Sequence, residues 1–286
     1  MRLSYLLFIV PLNLALIVSG CAWFDNESED EEAEVIYTTA RSSLEKGNYA
    51  AALEKYEKLE KDYPFSPFAN AALLETAYAS YESDDAETAA VMADQFIKNN
   101  PNHPYLDYAY YLKGLAHFNY GKHFLDFIFP RDRTARDPKP LEESFETFKT
   151  LYQRFPDSEY REEARRRLVV LRNMLAVHEI RVALFYYRQG SYVATMTRLK
   201  YMLERYDGAQ HTPDGLLLMA QAYNQIGSRD LASDTLRVLE YNYPDYAASN
   251  LRGLAQVSEQ EQRSWMSGLS DLTDVILEKL RIKRRY

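Results

Sequence analysis

One cysteine, five histidines and 42 acidic side chains are the groups with which this 286-residue chain could perform covalent or acid–base chemistry. Their spacing argues against catalysis. His103, His117, His123, His178 and His211 are scattered with no metal-ligand interval, and no P-loop, HExxH, GxSxG or dinucleotide fingerprint occurs. The many carboxylates read as solvated helix faces. A lytic transglycosylase would need a lysozyme-like domain built around an acidic Glu, and the helical body described below leaves too little chain for one. We therefore expect a protein that is not an enzyme and uses neither a metal nor an organic cofactor. With 34 basic against 42 acidic residues, the formal charge of -8 would repel a phosphate backbone, so nucleic acid is not an expected partner.

The one covalent modification the sequence points to falls on Cys21. Residues 1–20 have the parts of a signal peptide: Arg2 as the positive start, a mostly apolar stretch from Leu3 to Val18, and the small pair Ser19-Gly20. Pro11 and Asn13 interrupt the stretch and argue against a spanning helix. The sole cysteine follows directly, as in a bacterial lipobox, after which the thiol is diacylated, the signal is removed and the new amine is acylated. A signal peptide with an unrelated nearby cysteine is the alternative. Acyl chains contribute about 0.8 kcal/mol per buried CH₂, so three of them would tether the chain to a bilayer without crossing it. Ala22, where enterobacterial sorting uses Asp for inner-membrane retention, directs the expectation to the periplasmic face of the outer membrane of a Gram-negative bacterium. Residues 21–32 then form a lipidated acidic linker; from Asp25 to Glu34 the chain carries Asp25, Glu27, Glu29, Asp30, Glu31, Glu32 and Glu34 without a basic residue.

Positioning falls to a repeat. An aromatic or Asn followed by Pro or Asp recurs at Tyr63-Pro64, Asn100-Pro101, Phe155-Pro156, Tyr206-Asp207 and Tyr243-Pro244, with 37 residues from Pro64 to Pro101 and again from Asp207 to Pro244. Gly47, Asp84, Gly190 and Gly227 stand 17 residues before the terminal Pro or Asp, and Ala52, Ala89, Thr195 and Ala232 stand 12 before it. A small residue lets two antiparallel helices approach, Gly or Asp permits the left-handed turn between them, and Pro ends the second helix. The pattern resembles the tetratricopeptide repeat, lengthened by three residues from its usual 34. The fold class expected is all-α, a right-handed superhelix of about five helix pairs over 33–246, divided into N-terminal units at 33–156 and C-terminal units at 157–246. Asp84 with Glu87 reads as a capping box, Thr212-Pro213 as a cap followed by Pro, and Pro140 as a helix start. Residues 157–190 read as one overlong helix or as a helix broken near Val177. The tail 247–286 reads as helical and basic, ending in Lys279, Arg281, Lys283, Arg284 and Arg285.

Such an array offers a surface lined by the first helix of each pair. The positions expected there are Tyr37, Arg41 and Leu44, then Leu74, Tyr78 and Tyr81, then Tyr108, Tyr111, Leu115 and Phe118. About half of these aromatics are expected to pack as core; the rest suit an extended or helical peptide carrying aromatic side chains. The insertion between Gly121 and Leu141 holds an apolar run, Phe124–Pro130, beside the alternating charges of Arg131–Pro138. It reads as a folded-back loop with internal ion pairs, with direct binding as the second reading.

Taken in order, the lipobox Cys21, the acidic linker, Gly47-Asn48-Tyr49 with Ala52, Tyr63-Pro64-Phe65-Ser66-Pro67-Phe68, Asn100-Pro101-Asn102-His103-Pro104, Asp132-Arg133 with Arg136-Asp137-Pro138, and Arg167-Leu168 resemble the BamD/ComL family. The resemblance runs from Cys21 to about Pro244; the tail beyond Ser249 is longer than the family leads one to expect. It implies a lipoprotein subunit of the outer-membrane β-barrel assembly machinery, the BAM complex, working beside other assembly lipoproteins. Its C-terminal repeats would bind the POTRA region of a BamA-like barrel protein, and Arg198 matches an arginine at that contact. The N-terminal repeats would receive unfolded outer-membrane proteins for membrane insertion. An envelope structural lipoprotein associated with peptidoglycan or DNA uptake is the competing reading; the net acidity speaks against DNA, and no compact glycan-binding domain is visible.

Overall fold

The computed structural model describes residues 29–121, 134 and 137–251, and these are helical without a strand among them. Helix α1 (29–45) is followed by α2 (Tyr49–Asp62), α3 (Ala69–Glu82), α4 (Ala86–Asn99), α5 (Leu106–Asn119) and α6 (Lys139–Arg154). Then come α7 (Arg161–Arg188), α8 (Tyr192–Arg205), α9 (Thr212–Gln225), α10 (Arg229–Asn242) and α11 (Pro244–Leu251). Among the described residues, one compact unit comprises 29–121 with 150–161, and a second comprises 134, 137–149 and 162–251.

The turn inside each helix pair is built the same way four times. Gly47 has φ 71°, Gly190 φ 73° and Gly227 φ 77°, and Asp84, at φ 63°, is the one non-glycine residue in this region among those described. Each turn closes with the same two backbone bonds. The left-handed residue donates three residues back, as Gly47 N to Leu44 O at 2.9 Å, and its successor donates five back, as Asn48 N to Ser43 O at 2.9 Å. This is the helix C-terminal motif that satisfies orphan carbonyls. The next helix starts at once: Asn48 accepts from Ala51 N at 3.3 Å and Asp85 accepts from Thr88 N at 3.1 Å. The expected capping box is therefore replaced by a simple side-chain cap one residue later, at Asp85, with Thr88 rather than Glu87 at the third helical position, because Asp84 is consumed by the turn. The reading of Thr212 as a cap is likewise corrected: Thr212 is the first helical residue, and its hydroxyl donates backward to Ala209 O at 2.7 Å. Pro140 stands in the first turn of α6 as expected.

The small residues sit where the helices cross. Ala52, Ala89 and Thr195 are fully buried and Ala232 nearly so. Five residues before each terminal Pro or Asp stands a buried large side chain, namely Leu59, Phe96, Leu151, Met202 and Leu239. Removing one of these would cost about 2–5 kcal/mol through lost transfer energy and the cavity left behind. Helix α7 runs unbroken for 28 residues through Val177, which settles the choice left open by the sequence. No helix among the described residues is long and apolar enough to cross a membrane. The insertion residues 122–133, 135 and 136, Cys21 with the signal segment, and the tail beyond Leu251 lie outside the described residues.

Candidate functional site

In the first unit the tyrosines of α1, α3 and α5 gather around shared partners. The Tyr37 hydroxyl donates to Glu75 Oε1 at 2.8 Å, and the buried Tyr56 hydroxyl donates to Glu75 Oε2. One carboxylate on α3 thus ties α1 and α2 to the next helix pair. Burial, then the bond and charge of Glu75, push the Tyr37 hydroxyl up to about 12, with Arg41 opposing. Burial followed by the same carboxylate pushes the Tyr56 hydroxyl up as well. Arg41 is exposed, pairs with Glu45 at 3.4 Å, and is held more firmly charged first of all by Glu75.

Farther along, half-buried Tyr78, Tyr81 and Tyr108 pack on a core cluster of Ala77, Ala93 and Leu112. Tyr81 accepts from Asn119 Nδ2 at 2.9 Å. Burial, then Glu82, pushes the Tyr78 hydroxyl up, and that hydroxyl has no protein hydrogen-bond partner among the described residues. Tyr111 stacks on Tyr160 at 4.6 Å, and Tyr108 tilts against the same ring at 5.5 Å. Burial pushes Tyr108 up too, and pushes Tyr160 up to about 12, with Glu159 adding to the latter. Phe118 and Leu44 are half-buried. Leu74 and Leu115 depart from the expected surface: both are buried, Leu74 with Leu73, Phe96 and Ala109, because the apolar side chains lie under the rim that the tyrosines form. All six aromatics are half-buried, none packing as full core and none fully exposed, so the expected division into core and surface halves is not found.

Sequence reasoning missed Glu75, Tyr56 and Tyr160, which organise this face. Phe68 and Tyr160 occupy the same place in two loops of identical hydrogen bonding, Ser66 N to Tyr63 O with Ala69 N to Ser66 O, and Ser158 N to Phe155 O with Arg161 N to Ser158 O. Each stacks on a first-helix tyrosine: Phe68 on Tyr37 at 5.2 Å, Tyr160 on Tyr111 at 4.6 Å. The 37-residue interval from Tyr37 to Leu74 and from Leu74 to Tyr111 was the signal that could have exposed this pairing.

The second unit carries a different kind of site. Arg198, on α8, donates from Nη1 to Glu179 Oε2 of α7 at 3.3 Å; the arginine side chain is 44% exposed and the glutamate 4%. Burial pushes the Glu179 carboxyl up, against the pull of Arg198 and His178. One side of the guanidinium is committed inward. The other borders a hollow of about 690 Å³ walled by Tyr186, Tyr192, Val193 and Ile226, of which Val193 and Ile226 are exposed. Deeper in the unit, buried Asp214 accepts from His211 Nδ1 at 2.8 Å and from the Tyr246 hydroxyl at 2.7 Å, joining α9 to α11. No group of three or more His, Cys, Asp or Glu arranged to hold a metal occurs among the described residues.

Comparison with known proteins now bears on these two faces. Residues 29–239 match the sequence pattern of YfiO, described as an outer membrane lipoprotein. The chain belongs to the YfiO family. Within it, the outer membrane protein assembly factor BamD of Neisseria meningitidis serogroup A is 35% identical over 242 residues, covering 82% of this chain and 91% of that protein. BamD of Xylella fastidiosa is 32% identical over 242 residues, covering 84% and 83%. BamD of Vibrio cholerae is 31% identical over 226 residues, covering 79% and 94%. The YfiO match takes in both the tyrosine face and Arg198, and it ends before α11.

Proposed function

We propose that this chain is a non-catalytic lipoprotein subunit of the outer-membrane β-barrel assembly machinery, tethered through Cys21 at the periplasmic face of the outer membrane. The observation that carries the reading is membership of the YfiO family, together with relatives named as outer membrane protein assembly factors over most of their length. The tyrosine face of the first unit receives unfolded outer-membrane proteins. Rims of half-buried phenols offer flat apolar area with polar tips, which suits an extended peptide ending in an aromatic residue. Tyr78 is the best placed contact, since its hydroxyl is not engaged by any described residue, whereas Tyr37 and Tyr81 are already bonded. Arg198 and the hollow beside it receive the POTRA region of a BamA-like protein, and other assembly lipoproteins complete the complex. An arginine anchored from behind by a buried carboxylate presents its guanidinium at little further entropy cost. The lipid raises the local concentration of both faces at the membrane, and neither cofactor, metal nor nucleic acid takes part.

A photoreactive residue at Tyr78, activated in membranes, tests the client half of this reading. Crosslinks to barrel precursors that vanish when the precursor's terminal aromatic residue is removed are the expected result. Crosslinks to fixed subunits alone, in an otherwise intact complex, would reduce the face to packing and the protein to a scaffold.

A further inference from the structure

The edge of the first unit opposite its tight turns carries two aromatic side chains that the client face does not use. Phe65 lies in the α2–α3 loop between Pro64 and Pro67 and is 99% exposed; Tyr105, in the α4–α5 loop, is 63% exposed. The exposure of Tyr105 has a local cause. Phe68 and Tyr160, its counterparts in the neighbouring loops, stack on Tyr37 and Tyr111, but the corresponding first-helix position on α3 is Leu74, which provides no ring. The two loops are neighbours, because Asn100 Nδ2 donates to Asn70 Oδ1 at 3.2 Å. Cations frame them: Lys61 ends α2, Lys98, paired with Asp94 at 2.5 Å, ends α4, and Arg154 ends α6, where it donates to Pro101 O at 3.3 Å. Acids stand among them as well, with Asp62 and Glu29 close to Tyr63.

This same edge is where the chain enters from Cys21. The Tyr63 hydroxyl donates to Glu32, near the start of α1, so the α2–α3 loop and the entry point lie side by side. Eight peptide steps from Cys21 to residue 29 reach at most about 28 Å. We propose that this loop edge rests on the bilayer that holds the lipid of Cys21, with Phe65 and Tyr105 entering the headgroup region. The inference rests on the lipoprotein reading given above. Aromatic rings favour the interface between headgroups and acyl chains, and lysine stems extend beside them with their charge toward phosphate. The mixture of acids and bases on the edge matches a membrane in which zwitterionic phospholipid predominates.

The test uses the full lipidated chain in phosphatidylethanolamine–phosphatidylglycerol vesicles with brominated acyl chains, with Trp23→Phe and Trp265→Phe to clear the background. Tryptophan is then placed singly by Phe65→Trp, by Tyr105→Trp, and by Lys46→Trp in the α1–α2 turn at the other edge. Bromolipid quenching at the first two positions should exceed that at the third by at least about threefold. Mass spectrometry of the same preparation reports on Cys21. An unmodified thiol would overturn both readings. A lipidated Cys21 with equal quenching at all three positions would overturn this one alone, and so would shielding of Phe65→Trp that appears only when another protein is added and ignores the brominated lipid.

Discussion

The two units use one backbone design and place their polar groups in different layers. In the first, the phenols of Tyr37 and Tyr56 converge on Glu75 at the rim of the helix pairs, where the carboxylate keeps some contact with water. In the second, Glu179 and Asp214 are 3% and 4% exposed and are held by Arg198, His211 and Tyr246 between helices. The lesson is that the repeat determines where helices cross but leaves open which layer carries charge. In the function proposed above, the rim of phenols would serve varied peptides and the arginine held by a buried acid a single fixed partner.

Substitutions sharpen that contrast. The largest effect is expected at Asp214. Asp214→Ala removes the buried acceptor that His211 and Tyr246 share and should cost about 3 kcal/mol in urea unfolding. Glu75→Ala, on the partly hydrated rim, should cost about 2 kcal/mol, and Glu75→Gln about half of that, since one amide oxygen still accepts. If Glu75→Ala proved the more damaging of the two, the layered distinction would be lost.

The units should also respond to pH in different windows. The Tyr37 hydroxyl is raised from 10.0 to about 12 in the fold, so between those values the unfolded chain sheds a proton that the folded chain keeps. Its contribution to stability is full below pH 10 and disappears as pH rises through 12. Glu179 is raised as well, so its contribution is full below 4.5 and is lost as pH rises through its folded value, in a window that opens at 4.5 rather than at 10.0. Tyr37→Phe should flatten the alkaline slope of the unfolding midpoint and Glu179→Gln the acidic one. Each variant leaving the other slope untouched is the outcome that supports two separate layers. The smallest effects belong to the turns they share. Gly47→Ala places a methyl at φ 71° and should cost about 1 kcal/mol, and Asp84→Gly, relieving φ 63°, should add about 0.5 kcal/mol to the thermal stability.

The turns were the most legible part of the sequence. Gly47, Asp84, Gly190 and Gly227 recur at one interval because a left-handed residue is needed there and few residue types supply it. The capping assignments at Asp84 and Thr212 missed by one residue, since one side chain can serve either the turn or the cap and the sequence does not say which. Helix α7 stayed ambiguous because no Gly or Pro interrupts residues 161–188, while its apolar spacing alone allowed a break. The site was legible as a row of tyrosines and not as a network. Tyr160 reaches Tyr111 across 49 positions of chain, and Glu75 is shared by two helices, so neither contact leaves a local pattern.

The tight turns have a practical use. Gly47, Gly190 and Gly227 are exposed, and a Cβ built on any of them meets nothing within 4 Å. Each lies at the tip of a hairpin whose two helices are joined by packing rather than by the connection itself. A short epitope or a fluorophore-binding tag spliced in beside Gly47, away from the hollow that Gly190 and Ile226 line, should be accommodated without disturbing the helices, giving a handle for following the first unit in living cells.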